Sequence, residues 1–144
     1  MDKQTLKQYR ALKREINLID KKLNRLYDRQ QNIPEVIGKV TGSSKEFPYT
    51  EIRTTVRMAE PRELDQIKIL IWKRQQRREV AERKLTEIEN FISSIPDSDT
   101  RQIFEMIYID GMKQREVSEK IGLERSGISK KIDGYLQLSH ISQK

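Results

Sequence analysis

The chain has 144 residues, 35% apolar and 35% charged, with a mean hydropathy of -0.82, a balance that excludes one thick core and suits long thin helices burying a narrow stripe each. A net charge of +7 and a pI near 9.6 make a polyanion the natural partner, because each Lys or Arg set on a phosphate releases counterions. Cysteine is absent and His140 is the only histidine, which excludes disulfides, thiolate chemistry and a His/Cys metal cage.

No apolar run approaches the ~18 residues that cross a bilayer, and Met1 leads into Asp2-Lys3-Gln4 rather than a basic-then-apolar leader. A cytoplasmic protein without membrane, metal or cofactor is expected.

From Tyr9 the residues Tyr9, Leu12, Ile16, Ile19, Leu23 and Leu26 step alternately by three and four, with Gln30 and Ile33 in register. Charged residues fill the other positions and nothing breaks the pattern before Pro34, which predicts a long amphipathic helix whose seam needs a partner. A second stripe follows Pro61: Leu64, Ile67, Ile71, Ala81, Leu85, Ile88, Ile92 and Ile95, with Arg74 and Arg78 at two seam positions. Pro61 suits a first helical turn and Pro96 stops the helix. Two basic residues at mid-seam leave two solutions. Either the helix turns its face there, using Trp72 and Leu70, or the arginines reach out along their apolar stems. The stripes pack as an antiparallel hairpin within one chain or pair between chains.

Between them, residues 33–60 have a different character. Ile52, Thr54, Val56 and Met58 alternate with polar neighbours, and Val36 and Val40 lie on the far side of Gly42-Ser43-Ser44, the pattern of a short hairpin or paired strands. A connection this long is often functional; the alternative is a loose tip in which Phe47, Pro48 and Tyr49 pack on a helix end.

After Pro96, Asp97-Ser98-Asp99-Thr100 offers N-caps for a helix bearing Ile103, Phe104, Ile107 and Tyr108, ended by Asp110-Gly111. A short helix, Gln114 to Ile121, turns Val117, Ser118 and Ile121 inward and is closed by Gly122-Leu123. A third runs through Ile128, Ile132, Tyr135, Leu136 and Leu138. A helix-turn-helix needs a small residue where its helices cross, a residue free to take positive φ in the turn, and a branched apolar anchor on the recognition helix. Ser118, Gly122 and Ile128 occupy those places. The fold class expected is therefore mainly α: a long antiparallel coiled helical hairpin over 1–96 with a small β-like insert at 33–60, then a carboxy-terminal three-helix helix-turn-helix domain over 97–144.

Charge is unevenly spread. Residues 1–60 carry 13 Lys and Arg against 8 Asp and Glu, 61–96 carry 8 against 6, and 97–144 carry 8 against 8. The excess lies in the scaffold, yet Lys113 to Lys131 carries six basic against three acidic residues. On the recognition helix Arg125, Ser126, Ser129 and Lys130 are not needed for packing, with Asp133 a turn further on. Arg125 and Lys130 can donate to guanine O6 and N7, and the serines to any base or a phosphate. Lys113, Gln114 and Arg115 open the preceding helix, where amides and side chains can hold a phosphate and fix register. Three helices used for protein contact are the alternative reading.

The run Ile107-Tyr108-Ile109-Asp110-Gly111-Met112-Lys113-Gln114, leading to Val117, Ile121-Gly122-Leu123 and Ile128, resembles region 4 of bacterial sigma factors. With the middle segment Gly42-Ser43-Ser44 and Phe47-Pro48-Tyr49, the chain resembles small sigma-like proteins of phages and prophages of Gram-positive bacteria, related to late-transcription regulators of the ArpU and RinA type. The resemblance implies a regulator that binds promoter DNA and contacts host RNA polymerase. Glu124 departs from the Ser or Thr cap usual there, Gly127 lies inside the recognition helix at a cost of ~1 kcal/mol against Ala, and no counterpart of sigma region 2 is present.

Enzymatic readings fit poorly, since the carboxylates sit at helical surface spacings and no nucleophile has a base beside it. Gly42-Ser43-Ser44 is too short for a phosphate loop and lacks the following Lys. Two competitors stand beside the regulator. One is a DNA-packaging recognition protein like a phage small terminase subunit, which predicts a ring. The other is a module that grips polymerase or a host regulator through its hairpin. A homodimer would double a short DNA site; a monomer would close its stripes on themselves.

Overall fold

The computed structural model describes residues 1–43 and 51–142. Ser44, Phe47, Pro48 and Tyr49, invoked above for the middle segment, lie outside them. The fold is mainly α: α1 (Lys3–Lys7), α2 (Tyr9–Gln31), α3 (Pro61–Ser93), α4 (Ser98–Phe104) continued by a π turn (Glu105–Ile109), α5 (Gln114–Ile121) and α6 (Arg125–Ser142). Between α2 and α3 the backbone forms β1 (Glu35–Ser43) and β2 (Glu51–Ala59), paired antiparallel with Glu35 opposite Ala59 and Ser43 opposite Glu51. No helix among the described residues is long and apolar enough to cross a membrane.

The helix ends follow local chemistry. The Asp2 carboxylate accepts the Thr5 amide at 2.7 Å ahead of α1, and Glu60 accepts the Glu63 amide at 2.6 Å ahead of α3, each satisfying a donor that the first helical turn leaves unpaired. Pro61 opens α3 without missing a hydrogen bond.

Two compact units divide the chain, one of residues 1–18 and 77–144, the other of residues 19–76. In the second, Ile19, Leu23 and Ile33 pack with Ile67 and Ile71, all 8% exposed or less. Arg29 donates to Glu63 at 3.3 Å and Gln75 to the Tyr27 hydroxyl at 2.7 Å. In the first unit Tyr9 meets Glu89 and Arg77 meets Glu15. In each unit the partner number falls along α3 as it rises along α2, so the stripes close on each other within one chain, antiparallel.

The mid-seam problem is solved by the arginines. Arg74 and Arg78 are half-buried, Arg78 reaching Glu82 at 2.6 Å, whereas Trp72 is 60% and Leu70 40% exposed. Of the two solutions open to the sequence, the one in which the arginines reach out is observed, and the helix does not turn its face onto Trp72 and Leu70. Ile71 keeps the seam, and residues one step either side lie about 100° around the helix.

The first unit centres on Phe104, fully buried, with ring centroids of Phe91, Tyr108 and Tyr135 at 6.2, 5.6 and 5.8 Å. These edge-on and tilted pairs add to simple area burial. Leu6, Tyr9, Leu12 and Ile16 join Ile88, Ile92 and Ile95, and the carboxy-terminal helices contribute Ile103, Val117, Ile128 and Ile132 to the same cluster. Those last helices share one core with the start of α1–α2 and the end of α3.

Candidate nucleic-acid interface

The candidate interface is built on the turn between α5 and α6. Val117, fully buried, anchors α5, and Ile128 and Ile132, at 0% and 2% exposure, anchor α6. Gly122 closes α5 with φ 80° and ψ 21°, its amide donating to the Ser118 carbonyl at 2.8 Å. This left-handed conformation strains any residue with a Cβ. The Ser118 hydroxyl donates in turn to the Leu123 carbonyl, so one small side chain serves the helix crossing and the turn together.

Before α5, the π turn widens the end of the first helix. The Asp110 amide reaches back to the Glu105 carbonyl at 3.0 Å and the Met112 amide to the Met106 carbonyl at 2.9 Å. Gly111 follows at φ 73°, and a Cβ there would fall 2.0 Å from an Arg10 guanidinium nitrogen. Gly111 is thus favoured by its backbone conformation, while the Arg10 side chain, exposed and flexible, can shift to admit a Cβ. The apolar run 103–109 carries no signal that distinguishes a π turn from continued α-helix.

At the far end of α4, Asp97 accepts the Thr100 hydroxyl at 2.5 Å and its amide at 3.1 Å, while Lys131 of α6 stands at 3.5 Å. The two bonds from Thr100, with the Lys131 charge, hold the Asp97 carboxyl below the usual range. Burial, with the Asp133 charge, pushes the Tyr108 phenol up.

On this frame Arg125 and Ser126 are the first two residues of α6 and both are exposed, as is Lys130. At about 100° per residue Arg125, Ser126, Ser129 and Lys130 share one arc, and the buried Ile128 and Ile132 lie outside it. Lys113, Gln114 and Arg115 are exposed at the start of α5, Lys113 as its N-cap residue. Arg115 stands 3.8 Å from Glu119, a pair too exposed to hold it firmly.

Two nominated residues are brought together: the half-buried Ser129 hydroxyl donates to Gln114 Oε1 at 3.5 Å. Ser129 thereby ties the start of α5 to α6 and is less free to reach a base than Ser126. Asp133 is engaged by Lys3 at 2.5 Å.

That pair marks what a reading confined to 97–144 misses. A cleft of about 370 Å³ is lined by Gln114 and Ser129 together with Lys3, Lys7 and Arg10. A second, of about 250 Å³, shares Arg10 and adds Lys13, Arg14 and Asn17. The signal is present in the sequence as the spacing 3, 7, 10, 14, 17, offset from the apolar stripe.

A family model described as a protein of unknown function (DUF1492) matches residues 63–134, from the first turn of α3 into α6. No curated protein and no solved structure matches the chain.

Proposed function

We propose that the chain, which belongs to the DUF1492 family over half its length, is a non-enzymatic transcriptional regulator that binds double-stranded promoter DNA through α5 and α6 and, as its likeness to sigma region 4 implies, meets bacterial RNA polymerase. The α5–α6 turn carries this reading. Gly122 in the left-handed region, Ser118 bonded across the turn and Ile128 buried beneath it leave the exposed start of α6 as a rigid element that fits a major groove. Arg125 and Lys130 supply donors matched to guanine, Ser126 an adaptable donor and acceptor, and Lys113, Gln114 and Arg115 the phosphate contacts that fix register. Ser129 supports Gln114.

The test is retention of genomic fragments from the source cell by the purified protein at two salt concentrations, followed by sequencing. Discrete sites upstream of genes, held less tightly as salt rises, are the expected result. Retention without site preference would leave a general DNA binder, and no retention would sink the proposal in favour of protein contact.

A further inference from the structure

We propose that the exposed basic stripe Lys7, Arg10 and Arg14 of α1 and α2 is a second phosphate-contact track, continuous with the α5–α6 reading surface, that grips the backbone of the same duplex. The inference rests on the DNA-binding reading and extends it to residues outside the family match.

The stripe follows from helical geometry. Lys3, Lys7, Arg10, Arg14 and Asn17 step by four and three, and Lys7, Arg10 and Asn17 each follow by one position a residue of the buried stripe, Leu6, Tyr9 and Ile16. A row beside a buried seam borders the elements packed around it; besides α3, which closes the seam, these include the segment from the π turn to Gly111. Ile107, Tyr108 and Gly111 line the first cleft with Lys7 and Arg10, and Ile109 and Asp110 line the second with Arg10 and Arg14. Gln114 and Ser129 close the first cleft. The track therefore reaches the residues that start α5 and face out from α6.

Charge decides the ligand. Lys3 is taken by Asp133 at 2.5 Å and Glu15 by Arg77 at 2.8 Å. Among the described residues Asp110 is the one carboxylate lining either cleft, and no ion pair there holds Lys7, Arg10 or Arg14. Lys13, held over the Tyr9 ring at 6.0 Å, adds a fourth cation. Three unpaired cations kept apart by their own helix need a run of anions. From Arg10 to Asn17 the helix rises about 10 Å, the rise of about three nucleotides of a DNA strand at roughly 3.4 Å each. Residues 97–144 have as many acids as bases, so cations from the scaffold add to the general affinity that Lys113 and Arg115 supply.

The experiment measures binding of the full chain to a labelled duplex of random sequence across a salt series. The triple variant K7Q/R10Q/R14Q should flatten the slope of log affinity against log salt by about 2.7, roughly 0.9 for each phosphate no longer neutralised. The drop in affinity between about 50 and about 200 mM salt then shrinks by about 40-fold. The charge-conserving triple K7R/R10K/R14K should keep the wild-type slope, with far-UV circular dichroism and thermal melts checking that both variants fold. If the wild-type chain binds and the glutamine triple has the same slope, the track is refuted while the DNA-binding reading stands, and an acidic protein becomes the partner to seek. If the wild-type chain binds no DNA, both fall.

Discussion

The Ser118 hydroxyl donates to the Leu123 carbonyl across the turn between α5 and α6. The bond spans the turn where the chain reverses from α5 to α6, and Ser118 also accepts the Gly122 amide on its own carbonyl. Ser118→Ala preserves the small size needed at the crossing but leaves the Leu123 carbonyl short of a partner. A loss of about 1 kcal/mol is expected, read as a lower urea midpoint at unchanged slope.

The glycines of this region separate into opposite classes. Gly122 has open space around it, yet φ is 80°, so Gly122→Ala should destabilise by about 1–2 kcal/mol through the backbone alone, and Gly122→Asn by less. Gly127 has ordinary helical φ, and an added Cβ would meet only Leu123 Cβ at 4.0 Å. Gly127→Ala should stabilise by up to about 1 kcal/mol. Thermal melts of the three variants check the order; a stabilising Gly122→Ala would contradict the turn geometry.

Tyr9 is 3% exposed and its hydroxyl donates to Glu89 at 2.5 Å. Burial first, then the bond to the Glu89 carboxylate, pushes its phenol up to about 12 from an ordinary 10.0. Below the ordinary value both folded and unfolded chains keep the proton, and the contribution to stability is fully present. As pH rises toward 12 the unfolded chain gives the proton up and the folded chain holds it, so stability falls across that window. Tyr9→Phe should cost about 1 kcal/mol near neutrality. The difference between wild type and variant should shrink as pH rises from 10 to 12, measured by urea unfolding at each pH.

Phe104 is fully buried among three aromatic rings, from α3, the π turn and α6. Phe104→Ala should cost about 3–5 kcal/mol and Phe104→Leu distinctly less. Because α4 and α6 share this cluster, both variants should lower DNA affinity only where the melt shows unfolding at the assay temperature.

Arg125→Ala and Lys113→Ala should fail in different ways. The first should relax discrimination at one base pair by about 1–3 kcal/mol, and the second should weaken binding evenly across sequences and reduce the salt slope by about 0.9. A competition assay over single-base variants of the retained site distinguishes them. Equal, sequence-independent losses for both would remove Arg125 from the base-reading set.

Periodicity alone determined the two long stripes, because an amphipathic helix must repeat its apolar residues near every 3.6 positions to bury one face. Tyr9, Leu12, Ile16, Ile19, Leu23, Ile67, Ile71, Ala81, Ile88, Ile92 and Ile95 are all buried where that spacing predicts. The small residue, glycine and branched anchor of the α5–α6 turn were legible for a similar local reason, since sterics at a crossing and at positive φ admit few residue types. What only the tertiary structure decided involves partners distant in sequence. Which of Arg74 and Trp72 took the mid-seam place was left open by the spacing and shown only by burial, Arg74 half-buried and Trp72 60% exposed. The π turn has no local signal, and the placing of Lys7 and Arg10 beside Gln114 depended on a core that joins residues about a hundred positions apart. Local spacing specifies which face of a helix is buried; the neighbour it is buried against follows from packing the whole unit.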